Sequence, residues 1–500
     1  MLQRPLKARW ISDLSIVVFL GIVASIAMAA FHSALGVIVL LLVPIAIFFF
    51  PEAMSRVSRG AAAVARDFTW WKGLWLLLFA SGLTFRVRDV REISGEPVDS
   101  AALFRIILEG LAAFVLIKRL AFRQTAWVGS LFRGLVGLLT CYSLVCAVST
   151  LWSVYPEWTL YKSAEYLLDV VVLATVLVAV RSTEGFKKLF DWTWILYGVV
   201  VLMVWMGAVI DPGDAFLPGV GTLGVQLTGV FPVESANSVG DYGAVLTLVG
   251  FNRLLLDRIR EHRTWYGLVF AVGAITLIFS QTRSSIAGCG LGLIIVLVLS
   301  GRVALGAFLG AASAVVLSLR GAGTLVQEFM QRGETEEVYG SLSGRTNWWQ
   351  YAWQKFLEHP FSGYGAYAGG RFVVMAQLLR GATSSVHNTL METLVGTGIW
   401  GAALITLALL ATWLSLVRSF WRYSFGSLER SLAVEALAIL ALATVRSVFS
   451  VSLIWHPALL FFLALGYAEF LRRLRSSRVI RVDSAVDEVN AIPADATSPT

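Results

Sequence analysis

Apolar runs of about 20 residues recur along this 500-residue chain, most of them closed by a short, charged joint. A run of that length crosses a hydrocarbon core of roughly 30 Å as an α-helix. The runs lack the alternation of a lipid-facing strand, and only helices or closed barrels satisfy backbone groups in lipid. The pattern predicts an all-α polytopic membrane protein. Reading runs and joints together gives about fourteen transmembrane helices, over residues 11–30, 34–50, 70–86, 101–118, 128–149, 163–180, 191–210, 237–256, 265–282, 285–300, 303–319, 388–417, 432–450 and 456–471. The transmembrane domain is accordingly residues 1–471, and residues 472–500 form a basic and then acidic, small-residue tail expected to be disordered.

The charged joints set the orientation. Basic residues cluster at Arg56, Arg59, Arg66 and Lys72, at Lys118, Arg119 and Arg123, at Arg253, Arg258, Arg260 and Arg263, and at Arg472, Arg473, Arg475 and Arg478. Basic clusters at alternate joints mark the cytoplasmic side, and an even helix count puts both termini there. Four longer segments then face outward: 87–100, 150–162, 211–236 and 320–387. The last balances Arg320, Arg332, Arg345, Lys355, Arg371 and Arg380 against Glu328, Glu334, Glu336, Glu337 and Glu358, as suits an exported loop. Loops this long are usually functional or disordered, and RTNWWQYAWQKFLEHP does not have a disordered composition. Trp349, Trp353 and Phe356 share one helical face that Pro360 would end, which suits either a membrane-interface anchor or a lipid- or sugar-facing platform.

Composition agrees with this picture. Hydrophobic residues make up 57% and charged residues 14% of the chain, far below the quarter typical of soluble domains. The net charge of +8 resides in the joints, so it reports topology and gives no reason to expect a nucleic-acid partner. Cys141, Cys146 and Cys289 lie inside apolar runs and form neither a disulfide framework nor a metal-spaced set. Ala27-Met28-Ala29 imitates a secretory cleavage site, but its apolar run is long for a signal and a second follows, so an uncleaved helical hairpin is expected. No internal repeat is visible, which weakens a transporter reading built on inverted halves.

A few polar residues stand where lipid does not favour them. Arg283, in SQTRSSIAG, falls at the outer end of a helix; it either snorkels to headgroup phosphates or offers its planar fork to a phosphorylated ligand. Arg345 opens the helix of the large loop, where free backbone N–H groups add to its pull on an anion. GYGAYAGG, residues 363–370, has the wrong spacing for a dinucleotide fingerprint and reads as a tight loop re-entering the interface. His387 stands at the outer mouth of the next helix, followed by Asn388, with Gly396, Gly398 and Gly401 allowing close packing farther down. Its setting suits a general base.

The order TRSS, then GRTNWWQYAWQKFLEHPFSGYG, then HNTLMETLVGTGIWG resembles the core of the O-antigen ligase and polysaccharide polymerase superfamily, membrane glycosyltransferases with a GT-C-like multi-helix architecture. The match covers roughly residues 275–415, with weaker echoes at 149–167 and 227–240. The resemblance implies transfer of a glycan from undecaprenyl diphosphate to a sugar hydroxyl, at the periplasmic face of the bacterial inner membrane. It implies that Arg283 and Arg345 hold the donor diphosphate and that His387 acts on the acceptor. Trp349, Trp353, Tyr364 and Asn388 are candidates for substrate contact. No cofactor is implied. The acceptor is a sugar of a growing polysaccharide or of lipid A core; the SGYG–HN region favours polymerase over ligase.

No D-x-D pair for a metal-bound nucleotide sugar is present, since DPGD at 211–214 has the wrong spacing, so a lipid-linked donor and metal-independent chemistry are expected. The family's asparagine soon after GVF is displaced here to Asn237, with Glu234 nearby, which puts the role of that loop in doubt. The competing class is a flippase or exporter of the same lipid-linked sugar. It would need charged residues near the midplane facing a cavity, for which Glu109, Asp169, Asp241 and Glu435 are candidates.

Overall fold

The structure is a computed structural model that describes residues 68–83, 98–122, 125–218, 223–256, 260–318, 322–379 and 384–490. The chain divides into two units, Met1–Thr69 and Trp70–Thr500, and every described helix belongs to the second. The helices expected over 11–30 and 34–50, Arg56, Arg59 and Arg66, the signal-like segment, and Arg123, Arg258, Arg320 and Arg380 all lie outside the described residues.

Helices stand at each of the twelve remaining places the apolar pattern marks. They are α1 (Trp70–Ser81), α2 (Ser100–Ala121), α3 (Gly134–Val148), α4 (Pro156–Ala179), α5 (Thr183–Ile210), α6 (Ala236–Leu256), α7 (Arg260–Ser280), α8 (Arg283–Leu299) and α9 (Val303–Ser318). The large loop folds into α10 (Ala322–Gln331), α11 (Glu336–Gly340) and α12 (Arg345–Glu358), and then come α13 (Thr389–Phe420), α14 (Leu428–Phe449) and α15 (Leu459–Asn490). Six segments among the described residues are long and apolar enough to cross a membrane: 100–121, 134–152, 183–210, 262–280, 389–420 and 428–449. That fits a multi-pass membrane protein. α15 continues through Asn490, past the point where the composition suggested a structureless tail.

Local chemistry explains most boundaries. The side chains of Asp99, Ser182, Asn388 and Ser427 accept the first free N–H groups of α2, α5, α13 and α14, and Pro156 occupies the first turn of α4, where its missing N–H costs nothing. The exception to an all-helical chain lies in the outer segment 211–236. Phe216–Pro218 pairs antiparallel with Val225–Leu227, and Gly229–Val230 pairs with Val233–Glu234. These ladders are too short for the alternation of the sequence to have marked them.

Two close helix pairs place the outer ends that matter. α6 and α7 meet backbone to backbone: a Cβ on Gly243 would stand 2.6 Å from Leu277 N, and one on Gly273 2.5 Å from Thr247 N. Glycine permits that approach and seals it with dispersion contacts. α8 lies against α14 in the same way, with Gly288 and Gly292 facing Leu442 and Ala438. The start of α6, the start of α8 and the end of α14 are thereby gathered at one edge.

The second half of the large loop is a packed substructure. Ala352 and Phe356 of α12 are buried with Val374, Met375, Val386, Leu394, Val395 and Ala402. α12 is therefore clasped by the chain's own segments rather than lying alone as an amphipathic anchor; Trp353 stays 46% exposed. α13 is interrupted at Gly398, with φ 65° and ψ −159°. The loop fills the break: Tyr364 N donates to Val395 O and Gly365 N to Gly396 O, each at 2.9 Å, and Ile399 N donates to Pro360 O at 2.9 Å. A broken helix is tolerated at membrane depth only where such partners satisfy its freed groups.

Candidate functional site

Arg283 is the first residue of α8, after a sharp reversal at Gln281 (φ 49°). Its Nη2 donates to both oxygens of Glu334, at 2.9 and 3.0 Å, and to Ser343 Oγ at 2.7 Å, while Nη1 reaches Met330 O at 3.2 Å. The guanidinium also stands 5.3 Å from the Tyr339 ring. Arg332 joins the same carboxylate, its Nη2 3.1 Å from Glu334 Oε1. Burial pushes Glu334 up, but the bonds and charge of Arg283, with Ser343 and Arg332, outweigh it and hold the carboxyl below its usual range. An internal anion thus sits on the arginine expected to meet a phosphate.

Arg345 opens α12 directly after Gly344, which takes the left-handed conformation at φ 81°. Its guanidinium has no hydrogen-bond partner among the described residues. Burial, then repulsion from Arg446, Arg283 and Arg332, brings its pKa down to about 10, so it remains charged at neutral pH. Like charges gathered without full compensation are costly to fold and mark a place built for an anion.

His387 is the residue just before the Asn388 cap of α13 and holds a left-handed φ of 55°, uncommon for a side chain larger than glycine. The loop behind it is clamped: Val386 O accepts from Trp349 Nε1 at 3.1 Å and Val386 N donates to Glu392 Oε2 at 2.8 Å. The imidazole Nε2 lies 3.0 Å from Ser384 Oγ, and the ring lies 5.9 Å from that of Trp348. Burial first, and then the charges of Arg345 and Arg446, lower its pKa from 6.5 to about 4. His387 is therefore a neutral imidazole at physiological pH, and a weaker base than an ordinary histidine.

The structure thus brings Arg283, Arg345 and His387 into one electrostatic neighbourhood. It uses Asn388 as a helix cap, its Oδ1 accepting from Met391 N at 3.0 Å and its Nδ2 donating to Val448 O at 3.1 Å. Trp349 supports the histidine loop in the same sense. Trp353 and Tyr364 stand apart from that corner. Tyr364 donates to Glu358 at 2.5 Å, and Glu358 closes α12 about 20 Å along the helix from Arg345.

Three members went unmarked in the sequence. Glu334 and Arg332 stood only among the balanced charges of the loop, and Arg446 lies inside a helix run. Arg446 pairs with Asp241 (Nε to Oδ1, 2.6 Å), and its side chain is only 7% exposed. The one available signal was an arginine in the last turn of an outward-running apolar helix, the same reasoning that selected Arg283. A second buried set, Glu109, Glu165 and His456, brings ligand-type atoms within 4.8 Å of one another, but Lys162 already stands 2.6 Å from Glu165.

Residues 268–406 match the family model described as O-antigen ligase, so this part of the chain is similar to that family and supports the likeness to the O-antigen ligase and polymerase superfamily. The match runs from within α7 to the middle of α13, and so takes in Arg283, Arg332, Glu334, Arg345 and His387 while leaving out Asp241 and Arg446. No curated protein matches the chain.

Proposed function

We propose that the chain, with its O-antigen ligase domain at 268–406, transfers a glycan from an undecaprenyl-diphosphate donor to a sugar hydroxyl at the periplasmic face of the inner membrane. Within that class the reading favours a polymerase of surface polysaccharide over a ligase to lipid A core. The observation that carries it is the charge count at the corner. Four guanidinium groups (Arg283, Arg332, Arg345 and Arg446) meet two carboxylates (Glu334 and Asp241), leaving an excess of two positive charges beside a neutral histidine. A diphosphate diester supplies two negative charges.

The chemistry follows from that arrangement. His387 takes the proton of the acceptor hydroxyl as its oxygen attacks the anomeric carbon of the donor sugar. The bond from that carbon to the diphosphate oxygen breaks, and the electron pair leaves with undecaprenyl diphosphate. Charge grows on the departing phosphate, where fixed guanidinium groups stabilise it without reorganisation. Positioned proton transfer contributes about 10²–10⁴-fold.

The flippase alternative gains nothing from its candidate charges. Asp169 stands 2.8 Å and Glu109 3.6 Å from His456, Asp241 pairs with Arg446, and Glu435 pairs with Arg253 at 2.9 Å. Asp169, Asp241 and Glu435 are each paired within the helix bundle, which supports a scaffold role for these three groups.

The test uses purified protein in nanodiscs, with undecaprenyl diphosphate binding and glycan transfer measured on Arg283→Ala, Arg345→Ala and His387→Ala. The arginine variants should bind the lipid at least about tenfold more weakly, as loss of charge-assisted hydrogen bonds predicts. His387→Ala should keep binding near wild type and lose at least about 10²-fold in turnover. Equal loss of affinity in all three would make His387 a binding residue and leave the base to be found elsewhere.

A further inference from the structure

The outer end of α14 is stapled into the corner on both sides. On one side Arg446 Nη1 donates to Ser284 Oγ at 2.5 Å, and Ser284 directly follows Arg283. On the other, the residue after His387 holds the same helix end: Asn388 Nδ2 donates to Val448 O at 3.1 Å, and Thr389 Oγ1 donates to Ser450 O at 3.1 Å. Trp349 of α12, four residues after Arg345, faces Phe449 with ring centroids 6.3 Å apart. The helix end that carries Arg446 is therefore tied to the neighbourhoods of Arg283, Arg345 and His387 by three separate sets of contacts, of which the first is made by Arg446 itself.

The side chain is also held in one orientation. Its Nε edge meets Asp241, which itself accepts from Ser285 Oγ at 2.6 Å. Its Nη2 makes no hydrogen bond to a described residue. A buried guanidinium anchored at Nε and Nη1 with its Nη2 unbonded is a preorganised anion ligand, since its rotamer entropy is spent before the ligand arrives. Its charge lies close enough to Arg345 to help lower that guanidinium's pKa.

We propose that Arg446 is a further donor-site residue, binding the diphosphate of the lipid-linked substrate together with Arg283 and Arg345, with Asp241 and Ser284 as the groups that aim it. This rests on the reading of the site as a diphosphate-dependent transferase. Arg446 lies outside the segment the family model matches, so this role rests on the contacts just described.

The alternative is that Arg446 only neutralises Asp241 between two helices. Removing it alone would then leave a buried carboxylate unpaired and destabilise the fold, imitating a binding defect. The decisive variant is therefore the double change Arg446→Gln with Asp241→Asn, which replaces the ion pair by a neutral hydrogen-bonding pair. It is measured beside Arg446→Lys, which keeps the pairing charge and loses the planar fork.

The probe is undecaprenyl diphosphate titrated onto purified full-length protein in nanodiscs, with thermal stability followed on the same samples. The proposal expects the double variant to melt near wild type yet bind at least about tenfold more weakly, and Arg446→Lys to bind more weakly with stability unchanged. It also expects the acid limb of transfer activity to move to higher pH in the double variant. His387 is faced by Arg345 from α12 and Arg446 from α14, and losing one of these charges raises its pKa. Wild-type affinity in either variant would overturn the proposal. If Arg283→Ala and Arg345→Ala also bind like wild type, the transferase reading itself fails; if those two weaken binding and the Arg446 variants do not, only this inference does.

Discussion

A histidine acting as base with its ordinary pKa would lose activity just below neutrality, and this one should not. Burial beneath the loop, then the charges of Arg345 and Arg446, bring His387 from 6.5 to about 4. At pH 5.5 an imidazole titrating near 4 is about 97% deprotonated, whereas one at 6.5 is only about 9% so, a contrast of roughly tenfold. The sign is that of a cation made harder to form: activity is complete above the lowered pKa and falls only as pH drops through it. The assay is kcat/KM for transfer from a purified lipid-linked donor in nanodiscs between pH 4.5 and 10.5. Intrinsic fluorescence at each pH checks that the protein remains folded. A plateau reaching down to about pH 5 is expected. A midpoint near 6.5 with the fold intact would refute the placement of His387 beside two arginines, or its role as base.

Three more outcomes are expected. Gly398→Ala should lower thermal stability in detergent by at least the roughly 1–3 kcal/mol of a backbone region reserved for glycine, because a Cβ would also stand 2.5 Å from Phe361 O; an unchanged melting temperature would contradict the break in α13. A cysteine introduced at half-buried Ser341 or Ser384 should react with a membrane-impermeant thiol reagent in intact spheroplasts, since the alternation of basic joints assigns residues 320–387 to the periplasm; labelling only after lysis would reverse the topology. Transfer should persist in excess EDTA, because in the proposed site guanidinium groups would balance the phosphate charge; activity lost and then restored by Mg²⁺ or Mn²⁺ would show otherwise.

Much of the architecture was legible because membranes enforce local rules. A backbone in lipid must satisfy its own hydrogen bonds, so run length and charged joints alone located the twelve helices α1 to α9 and α13 to α15. Pro360 stopped α12 where expected, and the polar outlier rule found Arg283. Glycines 363–370 did read as a tight loop, but its purpose was hidden. Only the fold shows that Tyr364 and Gly365 supply N–H groups to carbonyls released by the break in α13.

The sequence by itself determined the fold class, the likeness to O-antigen ligases and the three residues on which the chemistry was placed, because each depends on what lies within a few turns of chain. The tertiary structure alone decided which charges share a field. Glu334 reaches Arg283 across 51 residues and Arg446 reaches Ser284 across 162. No periodicity encodes such pairings, since they depend on how glycine-faced helices stack and where their outer ends then meet. That stacking turned Asn388 and Trp349 into supports for the histidine loop, and brought Arg446 to the same corner. The reason is physical: in a medium that screens charge poorly, an ion's partner and its consequences are set by distance in space, and distance in space is what the packing of the helices fixes.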